Sequence, residues 1–93
     1  MPRYEWHQQK AARNLRKHTV SFDEASTVFN DPLARIFDDS DNSITELREI
    51  IVGHSVVGRL IIVSFTEKEP DLVRIISARQ MTRKERADYE EKA

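Results

Sequence analysis

The stretch Arg59-Leu-Ile-Ile-Val-Ser-Phe65 is apolar at nearly every position and rich in β-branched residues. A run of that kind suits a central strand covered on both faces, so the chain must supply layers on either side of a sheet. Three further runs, LARIF (33–37), LREIIVGH (47–54) and LVRIISAR (72–79), have the same character and are separated by DDSDNS (38–43), by a turn at Gly58 and by Pro70-Asp71. They read as a meander of about four antiparallel strands. Before Pro32 the pattern is helical. Residues 8–18 are rich in helix formers, with Ala11, Leu15 and His18 at i, i+4 and i+7. Ser21-Phe-Asp-Glu24 is a capping box that opens a second helix, with Phe22, Ala25, Val28 and Phe29 on its inner side and Asn30-Asp31-Pro32 as its stop. Thr82-Arg-Lys-Glu85 is a second box, opening a charged C-terminal helix. The expectation is an α+β fold with two N-terminal helices, a roughly four-stranded antiparallel sheet and a C-terminal helix.

At 93 residues this is one domain, 1–93, with a single modest core. With no cysteine, disulfides, Cys-ligated zinc, iron–sulfur clusters and thiol nucleophiles are excluded, and three scattered His argue against a His-only metal site. No apolar segment approaches the length of a membrane span and no signal sequence follows the N-terminal basic residues, so a cytoplasmic protein without a membrane partner is expected. No Walker loop, dinucleotide glycine fingerprint, HExxH or Gly-x-Ser-x-Gly elbow occurs.

The net charge of −1 conceals segregation. Residues 1–20 carry +4, 21–50 carry −6, 51–86 carry +3 and the last seven carry −2. If the two basic blocks meet, they form a cationic surface suited to a polyanion. Strand alternation puts Arg74 and Arg79 on opposite faces. Arg79 either lies near Glu67 at one sheet edge or pairs with a carboxylate such as Glu67 or Glu85 to pin the last helix. His18 sits at a helix C-terminus, where an imidazolium is favoured and the ring either meets a ligand or packs on the sheet. Tyr89 is either a phenol near the basic strand end or the anchor of the last helix.

In combination, YEW (4–6), NLRKHTVSFDEASTVFNDP (14–32), GRLIIVSFTE (58–67) and RIISARQMTRKERADYE (74–90) resemble, in order and over nearly the whole chain, the BrnT toxins (DUF497) of type II toxin–antitoxin pairs. That resemblance implies a RelE-like ribonuclease fold, RNA cleavage that inhibits translation and growth, and neutralisation by a BrnA-type ribbon–helix–helix antitoxin. It further implies a 2:2 heterotetramer whose antitoxin, rather than the toxin, binds operator DNA. Three positions depart from the family pattern: His7 where an N-capping Asp is common, Thr19 where Gly is common, and Gln80-Met81 after the matched ISAR.

Metal-independent cleavage by a ribose 2′-hydroxyl needs a base, cations for the phosphorane and an acid for the leaving oxygen. On this reading Arg79 stabilises phosphate through its bidentate guanidinium, Glu67 or His18 is the base, and Tyr89 or His18 the acid. Lys17, Arg59, Arg74 and Arg83 contact the RNA backbone, with no cofactor and no metal. The alternative is a non-catalytic module of the same fold that binds RNA, the ribosome or the partner.

Overall fold

The computed structural model describes residues 2–39 and 47–92, so residues 40–43 of the expected polar loop lie outside it. Strand β1 (Arg3–Glu5) leads into helix α1 (Gln8–His18), helix α2 (Phe22–Thr27) and a 3₁₀ turn over Val28–Asn30. Strands β2 (Arg35–Asp38), β3 (Glu49–His54), β4 (Leu60–Glu69) and β5 (Leu72–Gln80) follow, and helix α3 (Arg83–Lys92) closes the chain. The α+β class holds. The sheet is five-stranded and mixed, in the order β1-β5-β4-β3-β2, because β1 adds to β5 in parallel. Three residues are too few to show an alternation of period two, which is why this strand escapes sequence pattern.

Register sorts the side chains of the sheet. Ile61, Val63 and Phe65 of β4 pair laterally with Gly53, Ile51 and Glu49 of β3, and face the layer formed by α1 and α2. On that side Val20, Phe22, Ala25 and Val28 close over Val63, Ile75 and Ala78, all of them 2% exposed or less. Such burial removes each aliphatic or aromatic side chain from water for roughly 1.5–3 kcal/mol. Phe29 bridges outward, its ring edge-on to Phe65 at 5.0 Å and tilted against Tyr4 at 5.3 Å.

A bulge in β5 changes one expectation. Ser64 pairs with Ser77 and Phe65 with Ile75, so Ile76 is the extra residue and the alternation resets there. Arg74 pairs across from Thr66 and Arg79 from Ile62, both outward-facing residues of β4. Arg74 and Arg79 therefore share the face away from α1 and α2, not opposite faces.

Helix α1 also differs in detail. Leu15 is 50% exposed and the buried position is Asn14, at 8%. Its amide nitrogen donates to the Ala78 carbonyl at 2.8 Å and the Val20 carbonyl at 2.9 Å, and its Oδ1 accepts from the Ala78 N–H at 3.1 Å. Strand β1 pairs only with Leu72–Arg74. Beyond it, the Asn14 amide does for β5 what a further strand would do, satisfying a buried donor and acceptor.

Candidate functional site

The outward face of the sheet carries one straight cross-strand row. Arg79 of β5 lies beside Ile62 of β4, Ile62 beside Val52 of β3, and Val52 beside Arg35 of β2. Two guanidinium-bearing residues thus flank an apolar pair, their backbones three strand spacings or ~14 Å apart. Helix α3 lies over this row. A groove of about 230 Å³ results, with Val52 and Ile62 as its floor, Arg35, Phe37 and Met81 at its sides, and Glu85, Asp88 and Tyr89 contributed by α3.

Local sequence places α3 there. The second capping box forms in full: the Glu85 N–H donates to Thr82 Oγ1 at 3.1 Å and the Thr82 N–H donates to Glu85 Oε1 at 2.9 Å. The same carboxylate accepts two bonds from Arg79, at 2.7 and 2.9 Å. These bonds, Arg79 foremost, lower the Glu85 pKa to about 2, and the Arg79 pKa rises in response. Of the two arrangements open to Arg79, the ion pair with Glu85 is the one adopted. The first capping box is only half formed. Ser21 Oγ accepts from the Glu24 N–H at 3.0 Å, but the Glu24 carboxylate turns instead to Ser55 and to Arg59.

Tyr89, one turn beyond Glu85, donates its hydroxyl to the Leu33 carbonyl at 3.1 Å. Arg35 stands over its ring, 5.3 Å from the centroid, and the His54 ring meets it edge-on at 6.4 Å. Burial first, then the negative charge of Asp31, raises the Tyr89 pKa and keeps the phenol protonated. Asp31 is fixed by N–H groups from Leu33 at 2.9 Å and His54 at 2.7 Å, and its pKa is lowered chiefly by the latter bond.

The remaining expected residues lie elsewhere. Glu67 pairs with Val73, five positions along β4 from the partner of Arg79, so about 16 Å separates them and their side chains leave opposite faces. Proximity of Glu67 to Arg79 is thereby corrected: the expected edge placement put them together, and the actual register puts them at opposite ends. His18 lines a separate groove with Lys10, Arg13, Asn14, Lys17 and Ile76, at the α1–β5 surface. Arg59 is engaged by Glu24 and by the Thr19 carbonyl at 3.0 Å, fastening the β3–β4 turn to the start of α2. Arg74 is held by Glu5 of β1 at 2.6 Å, while Lys17 and Arg83 are exposed. Arg59 and Arg74 are thus internal ion-pair partners rather than free cations.

Sequence reading passed over Asp31, Arg35 and His54 as site residues. Asp31 was visible only as part of a helix stop, and His54 as the last residue of an apolar run. Alternation along LREIIVGH does put His54 on the face of Val52, but nothing in the pattern shows that α3 lies above it.

The 1.1 Å crystal structure of the Brucella abortus ribonuclease toxin BrnT matches with a TM-score of 0.68 and 19% identity, over 89% of this chain and 100% of that one, which establishes a common fold. A family model described as "Ribonuclease toxin, BrnT, of type II toxin-antitoxin system" matches residues 6–85. Among curated protein sequences none matches. The fold is thus that of a small ribonuclease toxin, and the chain belongs to the BrnT family of type II toxin–antitoxin systems.

Proposed function

We propose that this chain is the toxin of a type II pair, a metal-independent endoribonuclease of the cytoplasm whose action inhibits translation and growth. A ribbon–helix–helix antitoxin of the BrnA type neutralises it in a 2:2 complex and contributes the operator-DNA contact. The observation that carries this reading is the cross-strand row: Arg79 and Arg35 flank an apolar floor beneath a protonated phenol, in a member of a ribonuclease toxin family. A phosphodiester lying in the groove has cations for its developing charge and Tyr89 as the acid for the leaving oxygen. Arg79 engages phosphate by exchanging the Glu85 carboxylate for phosphate oxygens, the same bidentate geometry serving both. Lys17 and Arg83 supply exposed positive charge for flanking phosphates.

The test is cleavage of a long single-stranded RNA by the purified protein in EDTA, beside Arg79→Ala and Glu85→Gln. Both variants break the same ion pair. If Arg79 acts on phosphate, Arg79→Ala loses at least tenfold more rate than Glu85→Gln, which loosens α3 but keeps the cation; equal losses in both reduce Arg79 to an anchor of α3. Absence of cleavage by folded wild type leaves a binding module without catalysis, and cleavage abolished by EDTA overturns metal independence.

A further inference from the structure

The groove lined by Tyr89 and by Glu85, the partner of Arg79, contains neither Glu67 nor His18, so the two bases expected from sequence lie away from the candidate acid. The imidazole in contact with Tyr89 is His54, which lines a neighbouring groove with Thr27, Asn30, Asp31, Ser55 and Val56. It follows Val52 by two positions on the same face of β3, pairs with Leu60, and meets the Tyr89 ring edge-on, so that the Tyr89 ring stands between the two grooves. Its side chain is 47% exposed. Asp31 Oδ2 lies 3.6 Å from its Nδ1 and accepts its backbone N–H at 2.7 Å. A carboxylate on the Nδ1 side favours the tautomer with the proton on Nδ1, which leaves the lone pair on Nε2, across the ring and away from Asp31.

Gly53 makes this approach possible. A Cβ at position 53 would stand 2.8 Å from Asp31 Oδ2 and 2.9 Å from Ala34 Cβ, so any side chain there drives the carboxylate away from the neighbouring histidine. The titratable groups against the ring are Asp31 from the loop before β2 and Tyr89 of α3, with Arg35 of β2 standing over the Tyr89 ring and Asp88 of α3 lining the groove beside it. Of the carboxylates near the groove, Glu85 is tied to Arg79 with its pKa lowered to about 2, a poor base. Asp31 is only 10% exposed and bonded to two backbone N–H groups. Asp88 is exposed on α3 and has no orienting partner among the described residues.

We propose that His54, oriented by Asp31, is the general base of RNA cleavage, a role that rests on the ribonuclease reading above. The Nε2 lone pair takes the proton of the ribose 2′-hydroxyl, and the 2′ oxygen forms its bond to phosphorus. As the P–O5′ bond breaks, the leaving oxygen takes the phenolic proton of Tyr89, which gives up its bond to the Leu33 carbonyl. The products are a 2′,3′-cyclic phosphate and a 5′-hydroxyl. His54 then returns its proton to solvent and the Tyr89 phenolate regains one, so the cycle balances without a co-reactant. Asp31 acts through His54 and is a positioning residue.

The experiment measures cleavage of single-stranded RNA in EDTA across a pH series by the full chain, its His54→Gln variant, and its His54→Ala variant with and without added imidazole. The expected results are a loss of roughly 10²-fold or more in both variants, disappearance of the acidic limb of the pH–rate profile in His54→Gln, and partial rescue of His54→Ala by imidazole. A folded His54→Gln protein that cleaves at the wild-type rate with an unchanged pH profile overturns the proposal, and so does a loss in His54→Ala that imidazole does not relieve. If circular dichroism shows either variant unfolded, the wild type decides: its acidic limb must track the titration of the His54 ring followed by NMR, and a limb that does not track it overturns the proposal. Failure of the folded wild type to cleave RNA at all is a separate result, which removes the ribonuclease reading itself.

Discussion

Thr19 and His7 bracket α1, and each works against its position. Thr19 is the C-cap, with φ at 59°, a left-handed conformation that crowds a β-branched side chain. His7 is the N-cap and makes no side-chain cap bond, so the first N–H groups of the helix rely on solvent. Thr19→Gly is expected to stabilise the protein by about 1 kcal/mol through relief of that strain, although the Thr19 hydroxyl bond to the His18 carbonyl goes with it. His7→Asp adds a capping acceptor at the positive end of the helix and is expected to contribute about 0.5–1 kcal/mol. Urea unfolding of the two variants and their combination checks both figures. The sites lie at opposite ends of an 11-residue helix, so the gains should add.

Helix α3 depends on few anchors, chiefly the Glu85 carboxylate on Arg79 and the Tyr89 hydroxyl on Leu33. The Glu85 pKa is depressed from 4.5 to about 2, so its stabilising effect is fully present above pH 4.5 and is lost as pH falls toward 2. Glu85 and Arg79 are both more than a third exposed, and solvent screening moderates the size of the effect. Far-UV ellipticity is expected to show more helix in wild type than in Glu85→Gln above pH 4.5, with the gap closing on acidification; a constant gap would mean that the carboxylate does not hold the helix. Much at this scale was legible in sequence. The helix starts at Ser21 and Thr82, the stop at Asp31-Pro32, and the core strand after Gly58 all follow from local chemistry. The Ile76 bulge was not legible, because Ile75 and Ile76 are both apolar and either suits the core. The destination of Glu24 was not legible either, since the choice between closing a capping box and gripping Arg59 depends on a residue 35 positions away.

Over the whole molecule, folding redistributes the charge blocks of the chain. Arg59, Arg74 and Arg79 are matched by Glu24, Glu5 and Glu85, which leaves Lys10, Arg13, Arg16 and Lys17 on α1 as an exposed cationic strip. RNA affinity should therefore fall with salt, and Lys10→Ala or Lys17→Ala should each reduce the slope of log affinity against log salt by about 0.7. Arg59→Ala should lower stability and leave that slope unchanged, which nitrocellulose binding at several salt concentrations can read. Asn14 has a different reach. Removing its amide, as in Asn14→Leu, leaves buried partners unsatisfied at about 1–3 kcal/mol each, and it also bares the backbone of β5 beyond the short cover of β1. An uncovered strand edge is a template for another chain. One carboxamide thus takes the place of a further strand at this edge, and its loss should appear as a lower melting point and as concentration-dependent self-association.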